Sequence, residues 1–478
     1  MNVQIRRVGV VAALLVFALL ANLTYFIVAE QTELEASPYN TRARQSEFDI
    51  HRGQILAGDV VIADSIDAPA DSVFRYQRVY ANGPLYAQVT GFYSYIYNSS
   101  RVENSFNTDL VGKASSQWLQ NLIDTISGRT PAGASVVTTI SPTLQQAAWD
   151  ALHQQNYTGA IVALDPHTGA VKALVSSPSF DPNRLAAIDR NDEVAAWEEM
   201  TNDPTRPMSD RGTREIYPPG STFKLVVAAT ALEQGYTQDT MIDTPASLPY
   251  PNSDLSLTNS SNCGNEQVTL ARAVQLSCNT AFANLGLALG GRTIQNQAAK
   301  FGFGAPHLYD ELGGVASHFP IPADDAALMR SAIGQDNVTA SPLQMAMVAA
   351  AFVNGGRLAE PYLVEEVRAP DLSVLWRHEV NPKVAVSPAT AQAMQEMMVS
   401  VVTNGSGTAA RIPGVTVGGK SGTAQSDPDN PNYAWFVSFA LDPDIVVTVF
   451  LERGASSADL WGGTDAAPLA KKVIEASR

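Results

Sequence analysis

The chain has 478 residues, 45% hydrophobic and 16% charged, a composition typical of a folded protein with a large core. Its formal net charge of -16 at pH 7 argues against a protein that binds the phosphate backbone of nucleic acids. Only two cysteines, Cys263 and Cys278, occur. In an oxidising compartment they could close a loop of about fifteen residues, and otherwise they are two separate buried thiols.

The N-terminus predicts a single membrane anchor. Residues 8–28 carry no charge and match the roughly 20 residues needed to cross a bilayer. Arg6 and Arg7 precede this segment, so the positive-inside rule places residues 1–7 in the cytoplasm and the remaining chain outside. A cleaved signal peptide is the alternative, but its apolar region would be shorter, and no small-x-small cleavage site follows. We therefore expect a single-pass plasma-membrane protein.

Two regions of different composition follow the anchor. Residues 29–135 mix short apolar runs with many Asn, Ser, Gly and Tyr, which predicts a small α+β module ending in a PAGAS linker at 131–135. Residues 136–478 are richer in helix and strand signals. This region begins with a predicted helix at 141–155 and a hairpin at 160–176, where two β-rich runs flank a D-P-H-T-G turn.

The middle and the end of the chain complete the predicted fold. A helix at 221–235 is apolar on all sides, and a further helix covers 268–289. Three strands lie within 415–452, the last two joined by a tight L-D-P-D turn, and an amphipathic helix at 467–477 closes the chain. Two early strands and three late ones predict an α/β domain of the α+β type. Its five-stranded antiparallel sheet is flanked by helices and interrupted by an all-helical insertion.

The first motif with chemical potential is Ser221-Thr-Phe-Lys224. Residues at i and i+3 share one face of a helix, and the preceding Pro-Pro-Gly places Ser221 at the helix N-terminus, where a developing alkoxide is stabilised. A serine hydroxyl needs an adjacent base, and a buried lysine can be one because burial disfavours its charged form. Taken alone, S-x-x-K arises by chance in chains rich in serine.

The second motif is Lys420-Ser421-Gly422-Thr423, on a predicted strand. Lys420 could hold a carboxylate, the Thr423 N–H could face an oxyanion, and the small Gly422 would let a substrate backbone lie alongside. The alternative is a solvent-facing lysine on an edge strand, which is common in soluble sheets.

The third motif is Ser277-Cys278-Asn279. S-x-N also occurs at 105–107 and 260–262, but only this copy lies within a strong helical pattern between the two lysine motifs. Its hydroxyl and amide could relay a proton and bind a peptide carbonyl.

The motif order S-x-x-K, S-x-N, K-S-G resembles that of penicillin-binding proteins. Residues 136–478 are similar to the transpeptidase domain of the class B family, including T-I-S-P-T-L-Q at 139–145, G-A-I-V-A-L-D-P at 159–166 and S-S-P-S-F-D-P-N at 176–183. The anchor and the R-G-Q-I that follows it look like the start of that family's N-terminal pedestal or dimerisation-like module. Serine in place of the threonine of K-T-G keeps the hydroxyl.

The resemblance implies a serine-type D-Ala–D-Ala transpeptidase of cell-wall synthesis and division. Ser221 would attack the D-Ala–D-Ala carbonyl of a peptidoglycan stem peptide, Lys224 would accept its proton, and Ser277 would pass a proton to the leaving group. An amine of a second stem peptide would then resolve the acyl-enzyme. β-Lactam antibiotics would acylate Ser221 and hydrolyse slowly.

The resemblance also assigns the remaining contacts. Lys420 and Ser421 would hold the terminal carboxylate beside Gly422, Asn279 would lie across the cleft, and the N–H groups of Ser221 and Thr423 would form the oxyanion hole. No cofactor or metal is expected, since the histidines are scattered. The expected partners are a separate membrane glycosyltransferase, because 29–135 is too short to contain one, and division proteins.

Two rival functions remain open. A D,D-carboxypeptidase or a β-lactamase of the same clan would deacylate Ser221 with water rather than an amine. A penicillin-binding sensor or non-catalytic division scaffold would not need the nucleophile, although the seven residues before the anchor leave little for a cytoplasmic output.

Overall fold

The computed structural model describes residues 2–29, 45–114, 117, 132–264, 266–425, 432–454 and 459–478. Helix α1, Asn2–Ala29, contains an apolar stretch from Arg6 to Phe26 that is long enough to cross a membrane and is not buried by the rest of the protein. Within the described residues it is the one helix that meets this criterion. It coincides with the predicted anchor.

The N-terminal region is a small α+β unit, as predicted. Its elements are β1 (Ile55–Ala57), β2 (Val60–Asp67), β3 (Tyr76–Tyr80), α2 (Gly83–Thr90), β4 (Tyr93–Ser94), β5 (Asn98–Ser99), α3 (Arg101–Ser105), α4 (Asn107–Leu110) and β6 (Ser135–Thr138).

A buried ionic cluster holds this region together. The Glu103 carboxylate accepts hydrogen bonds from the Nε atoms of Arg52 and Arg78, each at 2.6 Å, and all three side chains are buried. Burial acts to raise the pKa of Glu103, but the two guanidinium groups hold it below its ordinary value. A separate buried ion pair joins Arg101 to Asp210 at 3.1 Å.

The early part of the predicted catalytic region follows the expected pattern. Ser141 caps the first helix by accepting the Leu144 N–H, with proline at the first helical position. The predicted hairpin is confirmed, and its turn is tightened by the Asp165 carboxylate, which accepts the N–H groups of His167 and Thr168. The elements are α5 (Pro142–His153), β7 (Thr158–Leu164), β8 (Val171–Ser177), a 3-10 turn (Pro182–Leu185), α6 (Arg190–Asn202), a second 3-10 turn (Gly220–Phe223) and α7 (Lys224–Glu233).

The insertion is mainly helical, but the prediction that it is all helical is wrong in detail. Its helices are α8 (Leu270–Leu276), α9 (Asn279–Leu289), α10 (Gly291–Lys300), α11 (Tyr309–Leu312), α12 (Asp325–Ser331), α13 (Pro342–Val353) and α14 (Pro388–Asn404), followed by a 3-10 turn at Thr408–Ala410.

The insertion also carries short strands that pair with one another. The pairs are β9 (Met241–Asp243) with β12 (Gln267–Thr269), β10 (Ser247–Pro249) with β11 (Ser256–Thr258), β13 (Arg357–Leu358) with β16 (Lys383–Val384), and β14 (Val364–Arg368) with β15 (Val374–Arg377). In β9, β11 and β12 only the central residue, Ile242, Leu257 or Val268, is buried, which is too little pattern to reveal a strand in sequence.

The single helix predicted over 268–289 is interrupted. α8 ends at Leu276, Ser277 adopts a left-handed conformation with φ 60° and ψ 45°, and α9 begins at Asn279. The Cys278 N–H closes the turn by donating to the Ala273 carbonyl at 3.0 Å. Left-handed backbone is uncommon for residues other than glycine, so nothing in the sequence signals this break.

The five-stranded antiparallel sheet is confirmed, with strand order β17-β18-β19-β7-β8. The late elements are β17 (Thr416–Ala424), β18 (Tyr433–Leu441), β19 (Ile445–Arg453), a π-helical turn (Gly462–Ala466) and α15 (Ala467–Glu475). One face packs against α13, and the other packs against α5 and α15. β17, which carries the second lysine motif, lies at the sheet edge.

A second sheet joins sequence-distant strands in the order β15-β14-β6-β1-β2-β3. β6 pairs in parallel with β1, where Ile55 opposes Val136, and antiparallel with β14. The linker predicted at 131–135 is wrong for the described residues 132–135, because small residues here pack closely: Ala134 is fully buried, and the Gly133 N–H donates to the His51 carbonyl. The predicted domain boundary between 135 and 136 stays a prediction.

Candidate active site

Ser221 lies in the tight 3-10 turn ahead of α7, pressed against β17. Gly220 has φ +52°, and a Cβ there would lie 2.7 Å from the Thr423 carbonyl oxygen, so this position requires glycine. The Gly220 N–H donates to the Gly334 carbonyl at 2.9 Å, and the Trp435 indole N–H donates to the Pro218 carbonyl at 3.0 Å. The turn that presents Ser221 is therefore fixed from several sides. Ser221 itself is half-buried.

Lys224 is fully buried at the start of α7. Its amine donates to the Ser277 carbonyl at 2.8 Å and to Asn279 Oδ1 at 2.7 Å, and it lies 3.3 Å from Ser277 Oγ. Burial, reinforced by the charge of Lys420, lowers the pKa of Lys224 well below its ordinary value of 10.5. The amine can therefore be neutral, the state in which it can accept a proton.

Lys420 reaches the same hydroxyl from strand β17. Its amine donates to Ser277 Oγ and to the Ser421 carbonyl, both at 2.8 Å. The side chain is fully buried, which excludes the alternative of a solvent-facing lysine, and burial lowers its pKa to about 7. The Ser277 hydroxyl thus lies between two lysine amines.

The two amines give the site an unusual charge balance. Among the residues the structure describes, no carboxylate lies within ion-pairing distance of Lys224 or Lys420. A buried positive charge without a counter-ion is costly. An anionic ligand that binds beside Lys420 would supply the missing partner.

The remaining predicted site residues line the same strand. A Cβ at Gly422 would lie 2.8 Å from Thr222 Cγ2, so β17 packs directly on the turn that carries Ser221. The hydroxyls of Ser421 and Ser406 lie 2.6 Å apart. The motifs predicted from the sequence come together at one site, namely Ser221, Lys224, Ser277, Asn279, Lys420, Ser421, Gly422 and Thr423. Ser406 belongs to no motif, and only its position in the fold identifies it.

The two cysteines form a disulfide, with their Cα atoms 5.8 Å apart, which decides between the two alternatives that the sequence left open. Cys278 stands between Ser277 and Asn279, both of which contact Lys224. The bridge therefore ties the turn that carries these contacts to residue 263. Within the described ranges, no group of three His, Cys, Asp or Glu side chains is placed to hold a metal ion.

Comparison with protein-family models gives two matches. Residues 159–475 match the penicillin-binding protein transpeptidase domain, and residues 52–136 match the penicillin-binding protein A dimerisation domain.

Individual proteins agree with this assignment. The chain is 39% identical over 490 residues to the peptidoglycan D,D-transpeptidase PbpA of Mycobacterium tuberculosis H37Rv, covering 100% of this chain and 99% of the relative. It is 40% identical over 493 residues to PbpA of Mycolicibacterium smegmatis, with the same coverage of both chains.

Solved structures show the same similarity. The imipenem acyl-enzyme of M. tuberculosis penicillin-binding protein A matches with TM-score 0.85 at 38% identity, covering 91% of this chain and 99% of that one. The corresponding penicillin G acyl-enzyme matches with TM-score 0.84 at 39% identity, covering 90% and 99%. The short N-terminal module and the Cys263/Cys278 pair make the whole chain resemble actinobacterial penicillin-binding protein A in particular, and these matches confirm that similarity. The chain therefore belongs to the penicillin-binding protein transpeptidase family.

Proposed function

We propose that the protein is a peptidoglycan D,D-transpeptidase that cross-links stem peptides through an acyl-enzyme on Ser221. The observation that carries the proposal is the Ser277 hydroxyl, held between the buried amines of Lys224 and Lys420 next to the turn of Ser221. Similar proteins are named peptidoglycan D,D-transpeptidases, and similar structures are β-lactam acyl-enzymes.

In acylation, the Ser221 oxygen attacks the penultimate D-Ala carbonyl while its proton passes to the neutral amine of Lys224. The N–H groups of Ser221 and Thr423 stabilise the oxyanion, and the dipoles of the following helix add to this. Lys420 and Ser421 bind the terminal carboxylate, which supplies the negative charge that the two amines lack. This charge favours the protonated form of Lys420 when substrate is bound.

Collapse of the tetrahedral intermediate breaks the peptide bond and releases D-Ala. Its nitrogen needs one proton, and the Ser277 hydroxyl gives it while taking another from the protonated Lys224, 3.3 Å away. Asn279 holds the Lys224 amine in place for this transfer. The proton from Ser221 thus leaves with D-Ala, and Lys224 returns to its neutral state.

In deacylation, the amine of a second stem peptide attacks the Ser221 ester and loses its proton through the same groups in reverse. A carboxypeptidase or a β-lactamase would activate water instead, often with a carboxylate base. Among the described residues, no carboxylate forms a hydrogen bond to Lys224, Ser277 or Lys420, which favours transfer to an amine over hydrolysis.

The anchor and partners complete the proposal. α1 would attach the enzyme to the plasma membrane, with residues 1–7 in the cytoplasm and the catalytic region outside, where peptidoglycan is assembled. Residues 29–135 would serve as a pedestal or dimerisation-like module and 136–478 as the transpeptidase domain. A separate membrane glycosyltransferase and division proteins would act with it.

Mass spectrometry after labelling with fluorescent penicillin tests the chemistry. The adduct is expected on Ser221. Ser221→Ala should abolish labelling, whereas Ser260→Ala, a control in another S-x-N stretch, should label normally.

With stem-peptide donor and acceptor, the main product should be the cross-linked dimer. Predominant hydrolysis of the donor would instead indicate a carboxypeptidase, and many turnovers of a chromogenic β-lactam would indicate a β-lactamase. Full complementation of a deletion strain by Ser221→Ala would favour the scaffold.

A further inference from the structure

Ser406 occupies a tightly held turn directly after α14. The N–H groups of Gly405 and Gly407, on either side of it, both donate to the Val401 carbonyl at 3.0 Å. The Ser406 carbonyl packs against Gly463, where a side chain would clash with it. The backbone of this residue is therefore fixed, although its side chain is exposed.

The Ser406 hydroxyl contacts the predicted carboxylate-binding strand. Its Oγ lies 2.6 Å from Ser421 Oγ, a distance typical of a strong O–H···O hydrogen bond. The Ser421 carbonyl accepts from the Lys420 amine at 2.8 Å. Ser406 thus approaches the side chain of Ser421 while Lys420 approaches its backbone.

The hydroxyls of Ser406 and Ser421 together can donate one hydrogen bond to an anion. Each hydroxyl carries one proton and can accept two hydrogen bonds, so a bond between them uses one proton and leaves the other for a third group. The contact also holds the Ser421 side chain in one rotamer, whereas a free serine would populate three. The pair therefore presents a single pre-oriented O–H donor beside the charge of Lys420.

We propose that Ser406 is a positioning residue for the terminal carboxylate of the donor peptide: its hydroxyl donates to Ser421 Oγ and so leaves the Ser421 O–H to point at the carboxylate. This inference rests on the proposed function and extends it, because it adds a residue outside the three motifs to the determinants of carboxylate specificity. The same contact would orient the carboxylate of a β-lactam.

The test compares Ser406→Ala, Ser406→Thr and Ser421→Ala, alone and combined, in acylation by benzylpenicillin and by its methyl ester, which lacks the negative charge. Ser406→Ala should lower the second-order acylation constant for benzylpenicillin about fivefold, the loss expected for one hydrogen bond. The loss should appear in the half-saturating concentration rather than in the limiting rate. The ester should be unaffected, and Ser406→Thr should restore the wild-type value.

The double variant gives an independent readout. Ser406→Ala combined with Ser421→Ala should be no slower than Ser421→Ala alone, since Ser406 acts through Ser421. Thr403→Ala, an exposed change near the same helix end, should behave as wild type. An equal loss with acid and ester, no loss with either, or additive losses in the double variant would overturn the inference. Failure of the wild-type protein to react with benzylpenicillin would instead refute the proposed function.

Discussion

Removing the disulfide should destabilise the catalytic region by an amount that follows from its position. Cys263 and Cys278 are separated by 15 residues, and closing a loop of that length is worth about 3 kcal/mol on the chain-entropy model. A domain of about 340 residues has an unfolding entropy of about 0.7 kcal/mol/K, so this loss corresponds to a melting temperature lower by about 4 °C. Cys263→Ala combined with Cys278→Ala provides the variant.

Activity should fall as well, because the bridge holds the turn between Ser277 and Asn279. Lys224 contacts both neighbours of Cys278, so a looser turn would spread the positions of its amine. Thermal unfolding of the full chain in detergent, together with the benzylpenicillin acylation rate, measures the two effects.

A matched control separates the cross-link from the side chains. Cys263→Ala alone leaves Cys278 in place but breaks the same loop, so its melting temperature should agree with that of the double variant. A double variant that melts within about 1 °C of wild type and acylates at the same rate would refute the reasoning.

Two further predictions concern buried charge. Between about pH 7 and 10.5 the unfolded chain keeps Lys420 protonated, whereas the folded protein holds it neutral. The free energy of unfolding therefore rises with pH across this window. Lys420→Met should reduce that rise, measured by urea unfolding at pH 7 and pH 9. Glu103→Gln should leave Arg52 and Arg78 buried without a carboxylate and cost about 3–5 kcal/mol in urea unfolding. Glu199, which forms an exposed ion pair with Arg184, offers a control, since Glu199→Gln should cause no measurable change in stability. Equal stability of the Glu103→Gln and Glu199→Gln variants would contradict the role given to the buried cluster.

The parts of the fold that the sequence predicts are those with strong local signals. The hairpin over 160–176 has two β-rich runs and a turn whose aspartate caps its own loop. The helix after Ser221 is apolar on every side and is correspondingly buried. Two of the three late strands, β18 and β19, show long apolar runs because the sheet is covered on both faces there.

The features that the sequence does not predict depend on contacts between distant segments. Ser277 takes a left-handed conformation that only its surroundings can enforce. β14, a strand of five residues, belongs to a sheet whose other members lie mostly before residue 139. Ser406 has no motif around it and acquires its meaning from Ser421, 15 positions later in the chain. Such pairings leave no periodic trace in one sequence.

The shared sheet also determines how the molecule would respond to mechanical load. A pull on the backbone near Ile55 does not reach the catalytic region only along the chain, because β1 is bonded sideways to β6, and β6 to β14. The two regions are therefore joined by ladder hydrogen bonds as well as by the chain, so a load applied near Ile55 would be carried by both connections.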